Sequence, residues 1–256
     1  MIKIASIVQT PHLALLKSET YQMALAHLLA DDRAYRSFYR NQSDCGSFVL
    51  MDNGVVETGE PMPMDDLLRL ATEIKASELI LPDRIRDREG TLDASREAYK
   101  TYLQEFHGLG HRLRAMLVPQ GETLTDWSMC AYEMARWPGR PTIGLSKFAP
   151  VEQHRGELAL TSGGQILIAH GSRFHILGCH STPREIRLTA ESFGASARGV
   201  DSGVAAIATQ EGIRLAEGWV RPEVPLDFGR QVDTDLLTEN LLVWVAGCVT
   251  GLPVVG

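Results

Sequence analysis

The side chains best suited to chemistry in this sequence follow short apolar segments. Asp52 follows FVLM, Asp83 follows LILP, and Asp201 follows RGV, while Gln120 comes after AMLVP. Carboxylates can act as nucleophiles or transfer protons, and a side-chain amide can bond both donors and acceptors of a heterocycle. One Asp before a turn is commonly a turn former or helix cap. A series of them at successive segment ends indicates a shared polar pocket.

The apolar segments are predicted to be buried parallel strands, because they are short, rich in β-branched residues and bounded by glycine or polar turns. Seven are evident, over residues 2–8, 47–54, 78–83, 113–121, 141–146, 173–179 and 197–201. Helical spacing is found between and after them, over residues 64–75, 92–106, 124–136, 183–193 and 234–248. This alternation predicts an α/β fold.

A single-domain (β/α)8 TIM-like barrel over residues 1–256 is the architecture that this alternation and length favour. An eighth strand is not evident, and a doubly wound open sheet would give the same alternation. In both architectures ligands bind beyond the carboxyl ends of the strands, where the polar residues lie. The long stretch from Lys147 to Ser172, with a predicted helix over residues 165–169, is a candidate lid or binding insertion.

Composition narrows the class of partner and the setting. Lys and Arg number 25 against 32 Asp and Glu, a net charge of −7, so only a local patch would attract a polyanion. The four cysteines form no CxxC pair, which argues against a zinc-ligand spacing and a disulfide framework. Without a long apolar run or a secretory signal, we expect a cytoplasmic protein with no membrane contact.

The order of the strand-end motifs resembles the tRNA-guanine transglycosylase superfamily, and most closely its short, phage-type relatives that insert 7-deazaguanines into DNA. The resemblance covers roughly residues 48–206. It implies general acid–base work for Asp52 in the sequence MDNG, and the role of nucleophile for Asp201 in RGVDS. For a viral protein, the expected location is the host cytoplasm.

The remaining motifs are similar to the base-binding parts of that family. Asp83 matches the aspartate that pairs with the guanine edge, and VPQG resembles the turn whose glutamine, here Gln120, contacts the base carbonyl. The sequence IGL resembles a segment that lends backbone groups to the base. The resemblance thus implies a guanine-like ligand bound by Asp83, Gln120, Gly121, Gly144, Leu145, Asn53 and Gly178.

Basic residues near the strand ends are candidates for gripping phosphates. The predicted contacts are Arg84, Arg86, Arg88, Lys147 and His180. Asp87 and Glu89 alternate with the arginines, so a solvated, salt-bridged loop is an equal alternative. His170, His175 and His180 lack matched metal-ligand spacing, and a structural role is favoured for the mid-strand His175.

Two departures from the larger family members affect the expected substrate. The Cys/His zinc subdomain is missing, so neither a metal nor a cofactor is expected, and 256 residues leave little room for the tRNA-binding parts. Both points favour DNA over tRNA as the partner. The resemblance implies that a preQ0-like base replaces guanine through a covalent aspartyl–nucleotide intermediate. Asp44 in SDCGSF is a competing match to Asp52, but it precedes the strand and would lie at the wrong end of a barrel.

Other functions remain open from sequence. The chain could be a tRNA-guanine transglycosylase, a non-catalytic nucleic-acid-binding homologue, or an unrelated barrel hydrolase whose aspartates bind a metal. Retention of Asp52, Asp83 and Asp201 argues against the non-catalytic homologue. The sequence leaves the oligomeric state open, including a homo-oligomer.

Overall fold

The computed structural model describes residues 2–106, 113–178, 182–217 and 224–250. Within them, eight parallel strands form one nearly closed barrel. The strands are β1 (Lys3–Ser6), β2 (Tyr21–Ala24), β3 (Phe48–Met51), β4 (Glu78–Ile80), β5 (Arg114–Leu117), β6 (Thr142–Leu145), β7 (Phe174–Ile176) and β8 (Ala197–Ser202).

The strand order decides between the two architectures that the sequence left open. Hydrogen-bonded neighbours follow the order β1-β8-β7-β6-β5-β4-β3-β2, and β1 lies beside β2 at the seam. A doubly wound sheet would instead reverse its strand order at a switch point. The consecutive order therefore confirms the predicted (β/α)8 barrel.

Helices flank the barrel, and several begin or end within a few residues of the predicted positions. They are α1 (Ala26–Asp31), α2 (Arg33–Asp44), α3 (Val55–Thr58), α4 (Met64–Glu73), α5 (Arg88–Phe106), α6 (Leu124–Met134), α7 (Ser162–Ala169), α8 (Pro183–Phe193), α9 (Val204–Gln210) and α10 (Thr234–Thr250). Short 3-10 helices cover Thr10–Ser18, Arg155–Leu160, Gly194–Ser196 and Leu215–Glu217. No described helix is both long and apolar enough to cross a bilayer.

The strand that the sequence pattern did not reveal is β2. Its four residues are all buried and pair with β3, Tyr21 opposite Phe48 and Ala24 opposite Met51. Only Leu25 separates β2 from α1, so no glycine or proline marks where the strand ends. A short buried strand without a turn residue after it has little pattern of its own.

Alternation along the strands divides the buried side chains into two sets. One set packs between barrel and helices, and the other fills the barrel interior with Ala5, Met23, Leu50, Ile80, Met116 and Val118. At the β7–β8 pairing, Phe174 is opposite Ala197 but His175 is opposite Gly199, so Arg198 is an extra residue in β8. Nearer the amino ends of the strands, the Arg198 guanidinium pairs with Glu78 inside the barrel.

The segment considered as a lid is fastened to the outside of the barrel over most of its length. Arg155 is buried, pairs with Glu185 at 2.7 Å and donates to the Leu145 carbonyl at 3.0 Å. Helix α7 packs on α6, and a Cβ at Gly163 would lie 2.2 Å from the Ser128 carbonyl oxygen. The glycines of LTSGGQ therefore permit close helix packing rather than forming a flexible flap.

Candidate active site

A cavity of about 720 Å³ opens at the carboxyl ends of the strands. This volume lies within the range of about 300–1,000 Å³ that is typical of small-molecule sites. The predicted residues that line it come from five strand ends and one following loop, namely Asp52, Asn53, Asp83, Gln120, Gly178, Asp201 and Lys147. The barrel thus brings half of the predicted site residues together, including both predicted catalytic aspartates.

Asp201 is buried in β8, and within the described part of the chain its carboxylate is hydrogen-bonded to a backbone N–H and an imidazole. Its Oδ1 lies 3.0 Å from His175 Nε2, and the Gly178 N–H donates to both carboxylate oxygens at 3.0 Å. Gly178 has a left-handed backbone with φ of +59°, a conformation that glycine adopts readily. Within the described residues no Lys or Arg forms an ion pair with this carboxylate.

Behind Asp201 lies a polar contact that sequence reasoning did not find. His175 is fully buried, and its Nδ1 lies 2.7 Å from the Tyr21 hydroxyl. Burial lowers the pKa of His175, although the Asp201 carboxylate opposes this shift. The sequence signal was available: His175 lies between Phe174 and Ile176, which face the helices, so the imidazole must face the barrel interior.

Asp52 lies at the end of β3, on the other side of the mouth. One of its carboxylate oxygens accepts a hydrogen bond from the Ala26 N–H, at the start of α1. Desolvation raises the pKa of Asp52 well above its usual range, and the nearby Glu57 and Asp201 carboxylates add to this rise. This shift favours the protonated form of Asp52, which is the form that can donate a proton to a leaving group.

Asp83 is the centre of a closed hydrogen-bond network. Asn53 Nδ2 and Gln120 Nε2 each donate to one of its oxygens at 2.7 Å. The Val55 N–H and the Arg86 N–H in turn donate to the Asn53 and Gln120 side-chain carbonyls, which fixes both amide orientations. Burial raises the pKa of Asp83 to about 6 despite the two amide donors. Donors and acceptors here are preorganised, as recognition of a heterocycle requires.

The cavity wall also contains residues that the strand-end motifs did not suggest. Apolar surface comes from Ile80, Val118, Leu177, Phe148 and Phe228, and polar groups from Glu57 and Ser146. Lys147 Nζ lies 4.9 Å from the centre of the Phe148 ring. Ile80 belongs to β4 and Glu57 to α3, and the other side chains come from segments after the strands, where no repeated pattern marks them.

Three predicted substrate contacts do not line the cavity. A Cβ on Gly144 would lie 2.4 Å from Leu177 Cδ1, so this glycine makes room beneath the wall. Leu145 faces the outer helices, and a Cβ on Gly121 would lie 2.5 Å from the Trp127 nitrogen of α6. Their contact with a base stays a prediction, and Ser146 is the residue after IGL that reaches the cavity.

The predicted phosphate contacts are also divided. Lys147 lines the cavity, whereas Arg84 pairs with Glu60 at 2.9 Å and Arg88 pairs with Glu89. Arg86 is exposed, with a left-handed backbone at φ of +61°. The alternative of a salt-bridged loop thus describes Arg84 and Arg88, while His180 lies outside the described residues.

Two alternatives from the sequence concern the aspartates, namely Asp44 as a competing match to Asp52 and a metal bound by the aspartates. Asp44 ends α2 on the exposed surface, where it pairs with Arg40 and Lys75 at 3.1 and 2.7 Å and does not line the cavity. Among the residues that the structure describes, no group of three His, Cys, Asp or Glu could hold a metal ion. The described groups that the site offers to a ligand include carboxylates and side-chain amides.

In comparisons with known proteins, no model of a protein family and no curated protein matches the chain.

Proposed function

We propose that the protein is a guanine transglycosylase that exchanges guanine in a nucleic acid for a 7-deazaguanine base such as preQ0. The observation that carries this proposal is the meeting of Asp201, Asp52 and the Asp83–Gln120 pair in one cavity. The resemblance of the motif order to the transglycosylases assigns complementary roles to these residues.

The chemistry follows from the differences among the three carboxyl groups. Asp201 has no cationic partner among the described residues, so its lone pairs are available to attack C1′ of a nucleotide. As the bond from C1′ to guanine N9 breaks, its electron pair goes to the base, and Asp52 supplies a proton to the leaving guanine. The incoming base then attacks C1′, the aspartyl ester breaks, and Asp52 takes back a proton, as in a retaining double displacement.

Base selection is assigned to the Asp83 network. A purine with guanine-like functional groups presents ring N–H and amino donors beside a carbonyl acceptor, and Asp83 with Gln120 offers the complementary set. Buried polar groups left unpaired by the wrong base would cost free energy, which is the basis for strong discrimination. The target nucleotide must leave a stack to enter this cavity.

DNA is the polymer proposed, because the motifs are most similar to those of the short DNA-acting relatives. Lys147 is the described basic residue placed to contact a phosphate at the mouth. A tRNA substrate is the alternative, and the assay separates the two.

The test is incorporation of radiolabelled guanine by the purified protein into duplex DNA, single-stranded DNA or tRNA. We expect label in DNA that is chased by unlabelled preQ0. The Asp201→Asn variant should incorporate none, whereas Asp44→Asn, which changes an exposed aspartate outside the cavity, should retain the wild-type rate. Label in tRNA alone would show that tRNA, and not DNA, is the substrate. No label in any polymer would refute the proposal.

A further inference from the structure

The Asp201 carboxylate is held asymmetrically. Among the residues that the structure describes, Oδ1 faces two donors, His175 Nε2 and the Gly178 N–H, while Oδ2 shares only the Gly178 N–H. A carboxylate oxygen with fewer hydrogen bonds keeps more of its lone-pair density for attack. The two oxygens are therefore unequal before substrate arrives.

We propose that His175 is a positioning residue that binds Oδ1 of Asp201 as a neutral donor and leaves Oδ2 as the attacking atom, with Tyr21 fixing the tautomer. This role in catalysis rests on the proposed function, whereas the tautomer and the carboxylate contact are properties of the free protein.

The tautomer follows from the partners of the two ring nitrogens. An ionised Asp201 carboxylate can only accept a hydrogen bond, so the proton between it and His175 lies on Nε2. Nδ1 of the neutral ring is then an acceptor, and the Tyr21 hydroxyl, 2.7 Å away, donates to it. The Tyr21 contact therefore favours the same tautomer as the Asp201 contact.

Packing holds the tyrosine ring in place. A Cβ on Gly199 would lie 2.8 Å from the Tyr21 ring, so the glycine of RGVDS leaves the space that the ring occupies. Phe48 stacks on the other side, with ring centroids 5.3 Å apart. The Tyr21 hydroxyl therefore has little freedom to turn away from His175.

A neutral donor serves both halves of a double displacement. When Oδ2 bonds to C1′ and the C1′–N9 electrons leave with guanine, Oδ1 becomes the carbonyl oxygen of the aspartyl ester. When the incoming base breaks the C1′–Oδ2 bond, the electron pair returns to the carboxylate, and the two donors stabilise that charge. A cation at the same place would suppress the nucleophile in the first half.

Two substitutions of similar size separate positioning from packing. In His175→Gln the amide nitrogen occupies roughly the place of Nε2 and can still donate to Asp201. In His175→Asn the shorter amide lies near Nδ1, so it keeps the Tyr21 contact and loses the Asp201 contact. We expect kcat for base exchange to fall about 100-fold in His175→Asn and less than about 10-fold in His175→Gln, with KM nearly unchanged. Equal losses in both variants, or none in either, would overturn the proposal.

A second measurement needs no activity. Long-range ¹H–¹⁵N correlation spectra of the wild-type protein at pH 7 should show His175 protonated at Nε2 and unprotonated at Nδ1, and Tyr21→Phe should shift the Nδ1 resonance. A proton on Nδ1, or a cationic ring, would overturn the inference whatever the enzyme does. The predicted tautomer in a protein that exchanges no base would support the inference about Asp201 and refute the guanine chemistry instead.

Discussion

The two ends of the barrel interior treat buried carboxylates in opposite ways. Near the amino ends of the strands, Glu78 is fully buried and paired with the Arg198 guanidinium, and Thr142 donates to it at 2.5 Å. At the carboxyl ends, Asp201 and Asp83 are also buried, but their hydrogen-bond partners among the described residues are side-chain amides, a backbone N–H and a neutral imidazole. The Glu78 charge is thus compensated by a cation, whereas the Asp201 and Asp83 carboxyl groups stay available to a ligand.

The ion-paired carboxylate has a structural role, whereas the carboxyl groups without a cationic partner are suited to chemistry. A compensated pair stabilises through its own contacts and resists the loss of either partner. Uncompensated carboxyl groups cost folding free energy and persist in proteins mainly where function needs them. Substitutions at the carboxyl ends of the strands should therefore mainly lower activity, and substitutions near the amino ends should mainly lower the free energy of unfolding.

The largest effect is expected at the mouth. Asp201→Asn removes the attacking charge but keeps the shape, so base exchange should fall by at least about 10⁴-fold, as for other lost nucleophiles. Because a buried charge also disappears, the free energy of unfolding should change by less than about 2 kcal/mol. Exchange kinetics and urea denaturation measure the two quantities. If Asp201→Asn were much less stable but its folded fraction still exchanged base at the wild-type rate, Asp201 would be a structural residue and not the nucleophile.

The next largest effect is expected near the amino ends of the strands, at the Glu78–Arg198 pair. Arg198→Met leaves Glu78 buried without its cation, which should lower the free energy of unfolding by about 3–5 kcal/mol. The double variant Arg198→Met/Glu78→Met removes both charges and should recover more than half of that loss. Urea denaturation midpoints measure this, and a double variant no more stable than the single one would contradict the compensation argument.

A smaller effect is a pH dependence contributed by Asp83. Burial raises its pKa from 3.8 to about 6 in the folded protein, so the folded state binds this proton more tightly than the unfolded chain does. Its contribution to stability is present below about pH 4 and is lost as pH rises through about 6, a change on the order of 2–3 kcal/mol. Wild type should lose stability relative to Asp83→Asn between pH 4 and 7. A constant difference between the two proteins would contradict the shift.

The smallest effect is expected outside both regions. Arg84 already pairs with Glu60 on the surface, so Arg84→Gln should change stability by less than about 1 kcal/mol and nucleic-acid affinity by less than about threefold. Lys147→Gln, at the cavity, should weaken binding more and reduce the salt dependence by about one charge. Filter binding at several salt concentrations tests the pair. Equal effects would restore Arg84 as a phosphate contact.

The sequence predicted the residues at the mouth of the barrel better than the contacts in the barrel interior below them. Parallel strands carry their carboxyl ends to one face, so Asp52, Asp83, Gln120 and Asp201 could be grouped from local pattern alone. The Tyr21 contact behind Asp201 could not, because it joins Tyr21 to His175, 154 positions away, and Tyr21 lies on β2. That strand is only four residues long and has no turn residue after it.

Backbone irregularity limited the prediction at other positions. The extra residue Arg198 in β8 turns two consecutive side-chain positions, 198 and 199, toward the barrel interior, which strict alternation does not anticipate. Similarly, Gly121 and Gly144 are predicted ligand contacts, and the structure adds that each makes room for a neighbouring side chain or helix, while their contact with a base stays a prediction. A glycine in a motif shows only that space is needed there, and the structure shows which group uses it.

The central claim is that Asp201 becomes covalently bonded to the nucleic acid, and intact mass spectrometry after denaturation tests it most directly. The protein would be incubated with a short target DNA, with Asp52→Asn included to slow the proton transfers. The account predicts a protein–DNA adduct whose modified peptide contains Asp201, present in wild type or Asp52→Asn and missing from Asp201→Asn. An adduct on another residue, or base exchange at the wild-type rate by Asp201→Asn, would contradict it.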